Sequence, residues 1–232
     1  MAFNNYGNRF QQTTPVVLNL IIINTLVYFA QVAFGGSSPL NNVNDLFALH
    51  HYKSEVFRPY QLVTHMFMHG GIFHLLFNMF ALWMFGGHVE RVWGPKKFLI
   101  FYFICGLGAA LAQMGSYTFD FWQIDHANIS PEIVEQYQTA MRLNCTLGAS
   151  GAIMGVLAAF GYLFPNTELI LFPIPIPVKA KWAITGIIAL DVFGGISKVP
   201  DDNIAHFAHV GGAVIGILLA IYWKKTNEKT FY

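Results

Sequence analysis

Leu147-Gly148-Ala149-Ser150-Gly151-Ala152-Ile153-Met154-Gly155-Val156-Leu157-Ala158-Ala159-Phe160-Gly161-Tyr162-Leu163-Phe164 carries no charge along its whole length. Such a run approaches the roughly 20 apolar residues that cross a bilayer as a helix, so it reads as a membrane span. Its first turn holds a serine among small residues, Gly148-Ala149-Ser150-Gly151. Working outward in both directions, similar runs recur at about Val16–Phe34, Ile72–His88, Phe98–Met114, Trp182–Gly195 and Ile204–Trp223. Composition agrees. The chain is 55% hydrophobic and 11% charged, where a soluble domain carries about 25% charge.

The predicted fold is therefore all-α, a polytopic membrane bundle of six transmembrane helices over 16–223 with tails at 1–15 and 224–232. Its first partner is the lipid bilayer. A net charge of +1 gives no basic surface for nucleic acid. Cys105 falls mid-span and Cys145 in a loop, so no disulfide is expected. The N-terminus lacks the basic start and cleavage site of a signal peptide, and the first span is expected to be retained.

An even number of spans puts both termini on one side. With that side inside, the inner segments hold Arg9, Arg91, Lys96, Lys97, Lys179, Lys181, Lys224, Lys225 and Lys229. The outer ones hold only Lys53, Arg58, Arg142 and Lys198. The bias predicts cytoplasmic termini. Two outer loops are long, Gly35–Gly71 and Gly115–Thr146. In the second, Ser130-Pro131-Glu132 reads as a helix start, and Ile133, Tyr137 and Met141 give it an amphipathic stripe. Asn128 and Asn144 fall in weak matches to a glycosylation pattern. Pro165–Pro177 reads as a rigid, non-helical inner connector.

Topology gives the polar residues meaning. The spans carrying His74 and Asn78, Ser150, and His209 all enter from the outer side, so these groups share one depth. His74 and Asn78 lie one turn apart on a common face. Gly148, Gly151 and Gly155 leave a bare strip beside Ser150, and Ala205, Gly212 and Gly216 do so around His209. Small-residue stripes let helix backbones approach closely. Close approach would set the Ser150 hydroxyl against a His209 ring nitrogen, a nucleophile and its base. The Ser150 backbone N–H, His74 and Asn78 are the candidate oxyanion donors. No acid is positioned by sequence to orient His209, so the reading is a Ser-His dyad. Packing alone would also account for a serine among glycines; the convergence with His209, His74 and Asn78 favours chemistry.

Other polar groups have plainer readings. His65 and His69 are also one turn apart, but local hydrogen bonding is favoured over a metal pair, because zinc sites want three protein ligands. His206 is expected to make a structural hydrogen bond, and His50 and His51 to be exposed in a loop. Asp191 is costly in lipid but lies near a span end, where a structural role comes first. Glu90 and Arg91 are expected in an interfacial ion-pair network. A metalloenzyme using His65, His69, His74, His206 and His209 lacks inward carboxylates, and no metal or cofactor is expected.

His65-Met-Phe-Met-His69-Gly-Gly-Ile-Phe-His74-Leu-Leu-Phe-Asn78, Glu90-Arg91-Val-Trp-Gly94, Gly148-Ala-Ser150-Gly151 and Ala208-His209-Val-Gly-Gly212-Ala-Val-Ile-Gly216 stand in this order on these spans. Together they resemble the rhomboid intramembrane serine proteases of the compact bacterial six-span kind, from about Tyr60 to Trp223. The resemblance implies Ser150 as nucleophile, His209 as general base, and His74 with Asn78 at the oxyanion hole. It also implies a first outer loop lying partly in the membrane, and substrates that are transmembrane helices entering laterally from lipid through span five and the loop before span six. The implied location is a bacterial inner membrane. Tyr60-Gln61 stands where many relatives have Trp-Arg, a departure that bears on loop packing. The Gly115–Thr146 loop is longer than in the most compact relatives.

Overall fold

The computed structural model describes residues 14–34, 43–126, 130–170, 176–197 and 204–228. Arg9, Asn128, Lys198, Asp201, Asp202, Lys229, most of the N-terminal tail and the end of the C-terminal tail lie outside the described residues. The elements run α1 (Pro15–Phe34), α2 (Val43–Phe47), β1 (Leu49–His50), α3 (Gln61–Thr64), α4 (Ile72–Ala81), α5 (Gly87–Trp93), α6 (Pro95–Asp125), α7 (Pro131–Leu143), β2 (Cys145–Thr146), α8 (Ser150–Leu163), β3 (Glu168–Ile170), β4 (Pro177–Lys179), α9 (Ala180–Ser197) and α10 (His206–Glu228). A π turn over Leu82–Gly86 joins α4 to α5 into one rod.

Among the described residues, five helical stretches are long and apolar enough to span a membrane: Pro15–Phe34, Ile72–Trp93, Pro95–Asp125, Ala180–Ser197 and His206–Thr226. The sixth predicted span differs. α8 has 14 residues, about 21 Å of helix at 1.5 Å per residue, against a hydrocarbon core of about 30 Å. It is buried from Gly151 to Gly161. A helix wrapped by protein needs no lipid-matched length. The apolar run predicted as Leu147–Phe164 thus loses Leu147–Ala149 to a turn fixed by Gly148, whose φ of +129° suits glycine alone.

Small residues inside and large ones outside define the bundle. α8, buried at Gly151, Ala152, Gly155, Ala158 and Ala159, packs against α6 and α10, with Gly151 beside Ala109 and Gly155 beside Cys105 and Gly212. Leu18, Leu26 and Phe29 of α1, Phe73, Phe77 and Trp83 of the α4–α5 rod, and Leu190, Phe193 and Ile196 of α9 face outward. Large apolar side chains turned away from the core are what a lipid-solvated bundle presents.

The two ends of the bundle are distinct. At one, the Trp93 ring lies 5.0 Å from that of Trp223, Lys97 sits over Trp223 at 5.8 Å, and His88 lies against Phe164 at 6.1 Å. The Glu90 carboxylate belongs here. It is 2% exposed and accepts the Val16 and Val17 backbone N–H groups at 3.0 and 2.9 Å. The expected Glu90–Arg91 ion-pair network is therefore corrected: Glu90 caps the open N-terminus of α1, whose first N–H groups lack helical partners, and Arg91 is exposed.

The opposite end carries Ser150. α6 runs 31 residues, well past the predicted Met114, because Tyr117, Thr118 and Phe121 pack against the first long loop. The Tyr117 ring lies 6.4 Å from that of His51, Thr118 Oγ1 lies 3.2 Å from His51 Nε2, and the Phe121 ring lies tilted against His51 at 4.7 Å. Most of the predicted 115–146 loop is thus helix, α6 and then α7, with α7 beginning at Pro131 as expected. β1 pairs with β2 across the same face, Leu49 with Thr146 and His50 with Cys145. His50 and His51 are consequently buried, at 1% and 0% exposure, which corrects their reading as exposed.

Gln61 organises the loop. Its Nε2 donates to the carbonyls of Asp45, Leu46 and Val56 at 3.0–3.3 Å, and its Oε1 accepts from the His50 and Arg58 N–H groups at 3.4 and 3.2 Å. One amide satisfies both donors and acceptors, which explains a glutamine at this position. Gln31 of α1 ties down the loop's end, donating to His69 O at 3.0 Å and accepting from His69 N at 3.1 Å. The Pro165–Pro177 connector contains a short antiparallel pair, β3 with β4.

Candidate active site

The glycine stripes bring the helices together. A Cβ at Gly155 would stand 2.9 Å from Gly212 O, one at Gly216 would meet the Gly155 backbone, and one at Gly212 would collide with Gly151 O. A Cβ at Gly151 would meet Ala109 of α6. α8 and α10 therefore touch backbone to backbone. That contact sets Ser150, first residue of α8, opposite His209, in the first turn of α10.

The His209 Nε2 lies 2.8 Å from Ser150 Oγ, an ordinary hydrogen-bond length. On the far side of the ring, His209 Nδ1 lies 2.9 Å from Asp191 Oδ1 of α9. The same oxygen lies 2.8 Å from His206 Nδ1. An acid is therefore placed on His209, against the sequence reading that none was. The linear sequence separates Asp191 from His209 by 18 positions, and nothing in that spacing specifies how α9 packs on α10. The available signal was an aspartate inside a span, three residues before Gly194. Bare glycine at 194 makes room for the His206 ring, whose Cε1 and Nε2 a Cβ there would approach at 2.5 Å.

His74 faces Ser150 from α4. Gly70 N donates to His74 Nδ1 at 3.3 Å, which leaves Nε2 as the protonated ring nitrogen. That Nε2 borders Gly148, where a Cβ would lie 2.9 Å from it. Asn78 Nδ2 donates to His74 O at 2.9 Å, holding the amide one turn deeper. Ser150 N–H occupies a helix's first turn, where backbone donors have no partner within the helix. Ser150, His209, His74 and Asn78 all line one cavity of about 1160 Å³, with Gln113, Met154 and Leu157 on its inner wall. Phe73 and Phe77 also line it, and they are 71% and 72% exposed. The cavity thus borders the apolar outer surface of the bundle.

His65 and His69 do not line the cavity. His65 Nδ1 lies 2.8 Å from Gln61 O, a local bond of the kind expected. The His69 ring packs edge-on against His74 at 5.2 Å. No cluster of metal-ligating side chains occurs among the described residues. Both cysteines are free.

Known proteins agree with the architecture. Residues 56–226 match the family model described as the Rhomboid domain. The chain is similar to Rhomboid protease AarA of Providencia stuartii, 31% identical over 216 residues, covering 89% of this chain and 71% of that protein. It is similar to Rhomboid protein 1, mitochondrial, of Saccharomyces cerevisiae, 31% identical over 70% of this chain and 41% of that protein. RHOMBOID-like protein 12, mitochondrial, of Arabidopsis thaliana is 30% identical over 93% of this chain and 60% of that protein. The chain thus spans less than two thirds of the length of either mitochondrial relative. With a family match over most of its length and several membrane-length apolar helices, this multi-pass integral membrane protein belongs to the rhomboid family.

Proposed function

We propose that the protein is an intramembrane serine endopeptidase that cleaves transmembrane segments of other membrane proteins. The observation that carries the reading is the 2.8 Å contact between Ser150 Oγ and His209 Nε2, inside a bundle whose cavity borders its lipid-facing surface. In the acylation step, Ser150 Oγ attacks the scissile carbonyl carbon while His209 Nε2 takes the hydroxyl proton. Negative charge developing on the carbonyl oxygen is met by the Ser150 N–H, His74 Nε2–H and Asn78 Nδ2–H groups. Collapse breaks the C–N bond, and His209 returns its proton to the leaving amine. Water, deprotonated by His209, then releases the acyl group and regenerates the serine.

A transmembrane helix offers no free carbonyl, because its backbone groups are paired along the helix. The cut segment must therefore unwind, which favours Gly, Pro and polar residues beside it. The exposed Phe73 and Phe77 at the cavity edge support lateral entry from lipid. The Lys/Arg distribution supports cytoplasmic termini and a cut near the outer face, in a bacterial inner membrane. Cleavage of a purified single-span reporter in liposomes tests the function. Wild type should cut it, and Ser150→Ala and His209→Ala should not, at unchanged thermal stability. Full activity in Ser150→Ala would sink the reading.

A further inference from the structure

We propose that Asp191 is a positioning residue for catalysis, fixing the ring of His209 and the nitrogen that carries its proton. The inference rests on the Ser150–His209 reading. A carboxylate only accepts hydrogen bonds. With Asp191 Oδ1 at 2.9 Å, His209 Nδ1 must donate. Neutral imidazole has one N–H, so Nε2 is left bare, facing the Ser150 hydroxyl at 2.8 Å. That is the form able to accept the serine proton. Without the acid, the ring is free to carry its proton on Nε2, where it blocks the first step.

His206 fixes the acid in turn. Its Nδ1 donates to the same Oδ1 at 2.8 Å, so one oxygen holds two rings a turn apart on α10. The Asp191 side chain is 10% exposed, and those of His206 and His209 are 13% and 17% exposed. Water competes little for these bonds. Asp191 lies on α9, whereas both histidines lie on α10 and the serine on α8. The three-helix arrangement thus reaches the reacting atoms through one carboxylate. When His209 takes the serine proton, the imidazolium forms beside a fixed negative charge, which stabilises it.

The test combines kinetics with a direct reading of the proton. Asp191→Asn keeps the shape but offers an amide in place of the carboxylate. Its kcat on the liposome reporter should fall between about 10²-fold and 10⁴-fold, as for loss of an acid that orients a catalytic histidine, with KM within about threefold. Asp191→Glu should recover part of kcat. His206→Asn should cost less than Asp191→Asn, because the carboxylate on His209 remains. Nitrogen-15 NMR of histidine-labelled protein, with His209→Ala for assignment, should show Nδ1 protonated and Nε2 bare in the resting wild type. The proposal is overturned if Asp191→Asn keeps kcat within about threefold, if its loss appears wholly in KM, or if resting His209 carries its proton on Nε2. The last measurement reads the wild-type protein, and His209→Ala serves only to assign its signal. Inactive Ser150→Ala and His209→Ala beside a fully active Asp191→Asn would remove this inference and leave the protease reading standing.

Discussion

Ser150 is a weak nucleophile by itself, and its environment decides what it does. The hydroxyl sits at the first position of α8, where the backbone N–H is unpaired and the helix dipole favours negative charge. In the proposed mechanism each oxyanion donor around it carries a separable share. Asn78→Ala should lower kcat by roughly tenfold to a thousandfold, the usual effect of removing one oxyanion donor. A wild-type rate in Asn78→Ala would remove Asn78 from the oxyanion site. A fluorophosphonate probe should label Ser150, because it needs the same activated hydroxyl. Labelling of another serine with Ser150 untouched would count against the assignment. The residue names were legible in sequence because burying Ser, His and Asn in apolar runs is unusual. The acid was not, because its partner lies on another helix and their meeting depends on how α9 packs.

Elements set the distances that these residues need. Backbone contact between α8 and α10 leaves no room for a side chain at Gly212, and carbonyl oxygen cannot move aside as a flexible side chain would. Gly212→Val should separate the helices, with a stability loss of about 1–3 kcal/mol or more and loss of reporter cleavage. Gly186 offers a control, since a Cβ there meets nothing within 4 Å, and Gly186→Ala should keep activity. Equal activity in both variants would show that the close approach is dispensable. At the opposite end, Glu90→Ala would leave two α1 N–H groups without their partner, costing about 1–3 kcal/mol. The melting temperature should drop by several degrees, while KM for the reporter stays near wild type. No change in melting would argue that water replaces the carboxylate. Glycine spacing made the α8–α10 contact readable from sequence. The Glu90 cap was hidden because its partners lie 73 and 74 positions away.

At the scale of the whole molecule, residues 43–71 are held against α6 and α1 through buried polar side chains, among them His51 and His69. Burial pushes His65 and His69 down from the ordinary 6.5 to about 4. Burial, then nearby Lys53, does the same for His51. Between these values the unfolded loop binds protons that the folded one does not. Its stability is therefore complete above about pH 6.5 and declines as pH falls toward 4. Melting temperature, or protease resistance of the 43–71 segment, should fall over that range. A flat profile from pH 7.5 to 4.5 would show that these histidines are not held neutral by the fold.

Sequence by itself determined the class of molecule, the number of apolar runs, and the serine, histidine and asparagine that converge at one end. Hydropathy and glycine spacing suffice for that, because the bilayer sets helix length and small residues set helix approach. Tertiary structure alone decided that α8 is only 14 residues long and lies wrapped by its neighbours. It also decided that α6 continues past its apolar stretch, that His50 and His51 are buried, and that Asp191 meets His206 and His209. Each depends on which surfaces lie beside one another across the bundle, a property of packing that no local pattern along the chain encodes. The opening serine was visible in a single apolar run; the contacts that join it to His209 and Asp191 required three helices.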